Sequence, residues 1–377
     1  MPQIYTGEIR SNPFVKESRF TFDRFFQMYI QKNLESTDNY IVLEPAYSNL
    51  ELSKEQFDPL EFFSKRILRY LEQNKLRIIF DGSGECSHIN FPYFKRFLAS
   101  FEQRKFDFSK FYYLTADGIE KHVYSTYKNI YHTNTLDSFF DSTVITKSDS
   151  KIDHLFSCLN RKPRYWRSKL TYHIQQNEYL KSKALCSHPK ITDKSQFSDH
   201  DGIYVEQDLI DFFLNIDELQ ASSISPLKEN MQFDQLISHL PEVYSRVAFD
   251  VCMECYQEGN HICYSEKLIK PILNSIPVLV WGTPGANTWQ MTDIGFKTYD
   301  DWFDLSFDLE TDTEKRLHLL LDEISRTCST LSNLTQHELI QWQNKNPDVI
   351  EHNKQLVIDK LPGNKAEFSR LFNDLST

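Results

Sequence analysis

The chain has 377 residues, 40% of them hydrophobic, with 29 Phe and 19 Tyr. That is enough apolar material for two or three domains with their own cores, and it excludes wholesale disorder. The formal charge is −11, from 42 Lys and Arg against 53 Asp and Glu, which argues against a general nucleic-acid or membrane-surface binder.

Met1-Pro2-Gln3-Ile4-Tyr5 lacks the basic and apolar regions of a signal peptide, and no apolar run approaches about 18 residues. A soluble, cytoplasmic protein without a membrane span is therefore expected. Seven cysteines, an odd number scattered along the chain, fit reduced thiols better than a disulfide framework. Only 10 residues are glycine, so the few that occur mark backbone needing positive φ or close approach. Gly82 and Gly84 form one group, Gly282, Gly285 and Gly295 another, and both groups follow apolar strands.

In chain order, residues 57–74 carry an amphipathic helical pattern, and Leu76 to Phe80 reads as a strand running into Asp81-Gly82-Ser83-Gly84-Glu85. A helical pattern over 91–101 precedes a strand over Phe111 to Thr115, which ends at Ala116-Asp117-Gly118. This alternation predicts an α/β fold with a parallel sheet covered on both faces. The polar stretch 146–151 reads as a domain boundary. Beyond it come a strand over Leu155 to Leu159, a helix over Tyr165 to Leu180 and a strand over Val247 to Cys255. A helix from about Ser265, a strand over Ile276 to Trp281 and a helix near Thr288 follow. Pro271 implies that the helix near Ser265 either begins only about Ile269 or is kinked. Residues 190–234 have no clear period, and two long helical patterns, 312–331 and 335–358, close the chain. The pattern predicts three parts: a Rossmann-like domain over 1–150, a second over 151–310 facing it across a cleft, and bracing helices over 311–377.

Two segments carry candidate chemistry. Arg161, Lys162, Arg164, Arg167 and Lys169 place five basic residues in nine at a strand-to-helix turn. A helix N-terminus there adds unpaired N–H groups and a positive end, which suits phosphate. The plainer alternative is a solvated basic face. Glu266 and Lys267 head a helix at a similar edge, where the carboxylate could meet sugar hydroxyls and the ammonium a phosphate; otherwise Glu266 only caps the helix. Cys252, Cys255, His261 and Cys263 could in principle hold zinc, but two residues three apart on a strand face opposite ways. Asp199-His200-Asp201 has the form of a cation-binding pair of carboxylates and reads more simply as an exposed turn.

Taken together, Phe156 through Asn160 to Arg164, then Ser265-Glu266-Lys267 with Lys270-Pro271, then Pro277-Val278 to Gly282, then Gly295-Phe296-Lys297-Thr298 resemble a group of glycosyltransferases. These occur in phages, large viruses and bacteria and have the two-domain GT-B fold. The Ser-Glu-Lys segment also resembles the donor-binding segment of α-1,3-fucosyltransferases and, more distantly, of exostosin-like enzymes. The resemblance covers about 155–300; the first domain matches loosely, through Asp81 to Glu85. It implies transfer of a sugar from a nucleotide-sugar donor to a hydroxyl acceptor such as a glycan, with no cofactor and no metal held by the fold.

By matching position, Glu266 would bind the donor's ribose or sugar, and Arg161, Arg164 and Lys267 would neutralise the leaving diphosphate, with Lys162 and Lys270 beside them. At Cys252-Met253-Glu254-Cys255 the chain departs from the Thr-Glu that the group shows before an aromatic residue; Glu254, with Tyr256 behind it, keeps part of that pattern. An inverting transfer needs a base for the acceptor hydroxyl. Asp81, Glu85 and Asp117 are the candidates, with His88 behind them; a retaining transfer would need none. Two rivals stand beside this reading. One is a relative that binds a nucleotide or glycan without turnover, and the other a phage-type enzyme glycosylating modified DNA bases.

Overall fold

A computed structural model of the chain describes residues 39–43, 65–82, 99–107, 109, 111–115, 130–132, 151–160, 163–192, 205–216, 241–254, 256–259, 264–360 and 370–371. The protein is α/β, and its described residues form two four-stranded sheets in which every pairing is parallel. It divides into two compact units: residues 1–138 with 261–263 and 361–377, and residues 139–260 with 264–360.

The first unit holds β1 (Asn39–Leu43), β2 (Leu76–Gly82), β3 (Phe111–Thr115) and β4 (Ile130–His132), in the order β1-β2-β3-β4. Each strand lies beside the one before it. Leu76, Ile78, Ile79, Tyr112, Tyr113 and Tyr131 are buried, and helix Lys65–Glu72 packs against β2. Arg370, near the end of the chain, lies over the Tyr131 ring at 4.4 Å.

The second unit holds β5 (His154–Leu159), β6 (Ala184–Ser187), β7 (Val247–Met253) and β8 (Val278–Trp281), in the order β6-β5-β7-β8. All seven residues of β7 and all four of β8 are buried, as expected of parallel strands covered on both faces. Phe249 of β7 stacks on Phe156 at 5.5 Å and meets Phe303 and Trp342 on its other sides. The C-terminal part adds three helices, Thr313–Leu331, Gln336–Gln343 and Pro347–Lys360, of which the second packs on β7, the first on the helices after β5 and the third on helix Glu266–Leu273. Gln336 exchanges hydrogen bonds with the backbone of Ile152, just before β5, and Gln343 donates to the carbonyls of Val247 and Ala248. Seven residues apart, these two amides share one helix face and grip the starts of two neighbouring strands.

Several elements differ from the sequence expectation for identifiable reasons. The helix expected over 165–180 is two, Tyr165–Gln176 and Glu178–Lys183. Asn177 is extended and its side chain accepts from the N–H groups of Tyr179 and Leu180, so it starts a second helix instead of continuing the first. The expected 335–358 helix is likewise two. Thr335 and Glu338 form a reciprocal cap at the first, and Pro347 opens the second at a position where its missing N–H is harmless. The helix near Ser265 begins at Glu266, not Ile269, with Pro271 as its sixth residue. Helix Gln207–Asn215 stands in the stretch that showed no period.

Asp250 sits within β7, 3% exposed, accepting a 2.5 Å hydrogen bond from the hydroxyl of Ser157 on β5. Burial pushes its carboxyl from a usual value near 3.8 up to about 7, against the opposing effects of Ser157 and the charge of Lys270. The unfolded chain ionises first as pH rises, so stability from this group is full below about pH 4 and is lost through pH 7. At about 1.4 kcal/mol per pKa unit the loss reaches roughly 4 kcal/mol. Asp250→Asn should therefore gain stability over the native chain as pH rises. In urea unfolding, the difference between the two proteins should widen by about 2–3 kcal/mol from pH 5 to pH 8. A difference that does not change with pH would show that the carboxyl is ionised in the fold.

Candidate functional site

In the order β6-β5-β7-β8, the chain leaves β5 toward β6 on one side and leaves β7 toward β8 on the other. Such a reversal opens a crevice at the carboxyl ends of the two central strands, where open α/β sheets take their ligands. Register pairs Ser157 with Asp250, so Asn160 and Glu254 leave the sheet at nearly the same level. The order of the described strands in the first unit contains no such reversal.

Glu254 follows β7 directly and is 1% exposed. Its carboxylate accepts from the Ser265 backbone N–H at 2.9 Å and from the Ser265 hydroxyl at 2.6 Å. Ser265 in turn caps helix Glu266–Leu273, and its oxygen receives Lys267 Nζ at 2.8 Å. Carboxylate, hydroxyl and ammonium thus form one chain across the crevice floor. The Glu254 carbonyl accepts from Arg167 Nε at 2.9 Å and Gln257 Nε2 at 2.7 Å, which fixes the exit of β7. Glu266 is the first residue of the helix, and Lys270, half-buried, stands one turn further on.

The described part of the basic run, from 163 to 169, is not a solvated face. Arg164, Arg167 and Lys169 are all buried. The Arg164 guanidinium lies 5.8 Å from the Tyr256 ring centre. Lys169 meets Glu206 at 2.8 Å and Glu314 at 2.5 Å; burial works against its charge, but these carboxylates outweigh it and raise its pKa. Lys169 is thereby committed to an internal ion-pair group, which leaves Arg164 and Arg167 as the described cations of the run nearest the crevice.

Asn160 is 3% exposed, yet neither atom of its amide, Oδ1 or Nδ2, meets a hydrogen-bond partner among the described residues. Arg167 Nη2 is also buried with none. An orphaned buried polar group costs about 1–3 kcal/mol, and these two stand near the carboxyl ends of β5 and β7.

Arg316, from helix Thr313–Leu331, is 1% exposed and reaches the same edge. It donates to the carbonyls of Glu310, Gln257 and Gly282 and lies 5.2 Å from the Trp281 ring centre. Burial lowers its pKa to about 10, which leaves it charged near neutrality. After β8, the turn 282–288 is held by Asn287 and Asp308. Asn287 pairs both backbone groups of Val280 and donates to Asp308, which also receives the Thr288 hydroxyl. Gly285 has φ +89 and a Cβ there would strike Trp289, so glycine is required. Gly295 closes helix Trp289–Ile294 in the left-handed region, and the Lys297 backbone that follows pairs with the Asn353 amide. The Gly295 to Thr298 part of the motif is thus built into the packing of the C-terminal helices.

The fold brings Arg164, Glu254 and Lys267 to one edge, with Glu266 and Lys270 on the helix that starts there. Arg161, Lys162, Glu85 and Asp117 lie outside the described residues, as do His88, Asp199 to Asp201, Cys255, His261 and Cys263. Asp81 is the last residue but one of β2, at its carboxyl end. The four described cysteines, Cys158, Cys186, Cys252 and Cys328, carry buried, unlinked thiols. Asn160 and Arg167 lie in the motifs quoted above without a role assigned to them, and Arg316 lies outside every motif. Arg316 has one visible signal, since it stands on the helix stripe shared with Leu317, Leu320, Ile324 and Leu331, where a charge is out of place unless it has an internal task.

Comparison with protein-family models, curated proteins and solved structures finds no match to the chain.

Replacing Glu254 with Ala leaves the Ser265 N–H and hydroxyl without their acceptor at the head of the helix. This should lower stability by about 1–3 kcal/mol in urea unfolding. An unchanged midpoint would mean that the carboxylate does not hold this helix start.

Proposed function

We propose that the protein is a metal-independent glycosyltransferase whose second unit binds a nucleotide-sugar donor at the carboxyl edge of β5 and β7. The observation that carries the reading is the pair of buried, unpartnered polar groups, Asn160 and Arg167 Nη2, beside the Glu254–Ser265–Lys267 chain. Together they offer amide, guanidinium and ammonium groups to a ligand with both polar edges and negative charge. A nucleoside diphosphate has that chemistry, because its diphosphate takes charge-assisted hydrogen bonds and its base or ribose takes amide contacts.

In this reading Arg164 and Lys267, with Arg161 and Lys162 from the same turn, neutralise the charge that develops on the departing diphosphate. Lys270 adds to that field, and Glu266 takes ribose or sugar hydroxyls. Glu254 acts at one remove, since its carboxylate fixes the Ser265 cap from which Lys267 projects. The acceptor hydroxyl and its base, Asp81, Glu85 or Asp117, belong to the first unit. The same proposal includes the finer architecture, two Rossmann-like domains of GT-B type, and a cytoplasmic setting; no helix among the described residues is long and apolar enough to cross a membrane.

The test is a thermal-shift and calorimetric screen of the full chain against nucleoside diphosphates and nucleotide sugars, without divalent cations. A nucleotide present at 100 times its Kd should add about 2.7 kcal/mol of stability. Lys267→Ala should weaken it by about 10- to 150-fold, the worth of one hydrogen bond to a charged group. Donor hydrolysis or transfer should disappear in Glu266→Ala. Binding without any turnover would favour a non-catalytic relative, and the absence of any nucleotide shift would remove the proposal's basis.

A further inference from the structure

Away from the crevice, one group of metal-ligating side chains is gathered by two helices distant in sequence. His173 stands on helix Tyr165–Gln176, and Glu314 and His318 stand one turn apart at the start of helix Thr313–Leu331. One donor atom of each lies within 4.8 Å of the other two. We propose that His173, Glu314 and His318 form a binding site for a divalent transition-metal ion of the zinc type, with water completing the coordination.

The donor set selects the class of ion. Two imidazoles and one carboxylate suit zinc and its first-row neighbours, whereas magnesium and calcium prefer oxygen throughout. Zinc–ligand bonds of about 2.0–2.2 Å in a tetrahedron put donor atoms roughly 3.3 Å apart. His318 Nε2 and Glu314 Oε1 are already separated by 3.4 Å. The two imidazole rings meet at 5.3 Å between centroids, inclined at 66°, and the His318 side chain is more than half exposed, so it has room to turn toward His173.

The surroundings are prepared in three respects. His173 Nε2 is shielded from solvent and has no hydrogen-bond partner among the described residues. Lys169 binds Glu314 through Oε2 and leaves Oε1 toward His318, the kind of outer contact that orients a ligating carboxylate. Glu206 on the same ammonium brings the local charge to two carboxylates against one cation, which favours adding a dication. Along the helix, His173 is about 13 Å from Arg164, at 1.5 Å per residue, so the site is separate from the nucleotide crevice. The proposal does not rest on the glycosyltransferase reading.

The experiment titrates zinc into the chelator-treated full chain by calorimetry and repeats it with Co(II), whose visible spectrum reports nitrogen and oxygen coordination. The native chain should take up one equivalent and melt at a higher temperature. His318→Ala, His173→Ala and Glu314→Gln should each lose that equivalent, while His337→Ala, on another helix, should keep it. His318 is exposed, so its variant folds irrespective of metal, and circular dichroism without metal checks the other two. No uptake by the native chain, or undiminished uptake by His318→Ala or His173→Ala, would overturn the proposal.

Discussion

Burying a guanidinium is costly unless its N–H groups find acceptors, and Arg316 finds them for Nη1 and Nη2 on three separate backbone segments. The carbonyl of Gln257 belongs to the segment leaving β7, that of Gly282 to the segment leaving β8, and that of Glu310 to the approach to its own helix. One side chain therefore sets the relative positions of two strand exits and the C-terminal helix. The crevice inherits this constraint. Gln257, whose carbonyl Arg316 holds, uses its amide to hold the carbonyls of Glu254 and Trp281. Glu254 then positions Ser265, and Ser265 the start of the helix.

The same device recurs with neutral groups. Gln336 and Gln343 at the amino edge of the sheet, Gln257 and Asn287 at the carboxyl edge, and Asn353 beside Lys297 all spend their amides on main-chain groups. Parallel sheets bury their strands on both faces, so loop carbonyls around them lose water and need partners from side chains. Against this pattern of satisfied amides Asn160 stands out, since its backbone is tied to Ser187 while its side chain is not used by the fold.

The most apolar strands of the second unit are legible from sequence because burial on both faces leaves a short, continuous hydrophobic run, as in Val247 to Met253 and Val278 to Trp281. Ala184 to Ser187 is not, since its three apolar residues between Lys183 and Ser187 carry too little pattern. The helix at 207–215 was hidden by its polar neighbours. At the site, charge density pointed to Arg164 and Lys267 but gave no sign that Lys169 would turn inward to Glu206 and Glu314. Glu254 looked minor in sequence because a single carboxylate after a strand is common. Its weight comes from Ser265, eleven residues away and reached only through the fold. Asn160 and Arg316 are defined by what their atoms do or do not touch, which no spacing encodes.

Asn287 has a consequence beyond holding its turn. Among the described residues β8 lies at the end of its sheet, and the Val280 N–H and C=O directed away from β7 are both taken by the Asn287 amide. Those are the groups through which another extended chain would join the sheet. With Asp308 fixing the amide in place, the middle of the edge strand is already saturated, and only four residues long. The protein thereby protects its most hydrophobic strand from edge-to-edge association, a safeguard other sheets obtain with charge, proline or a bulge.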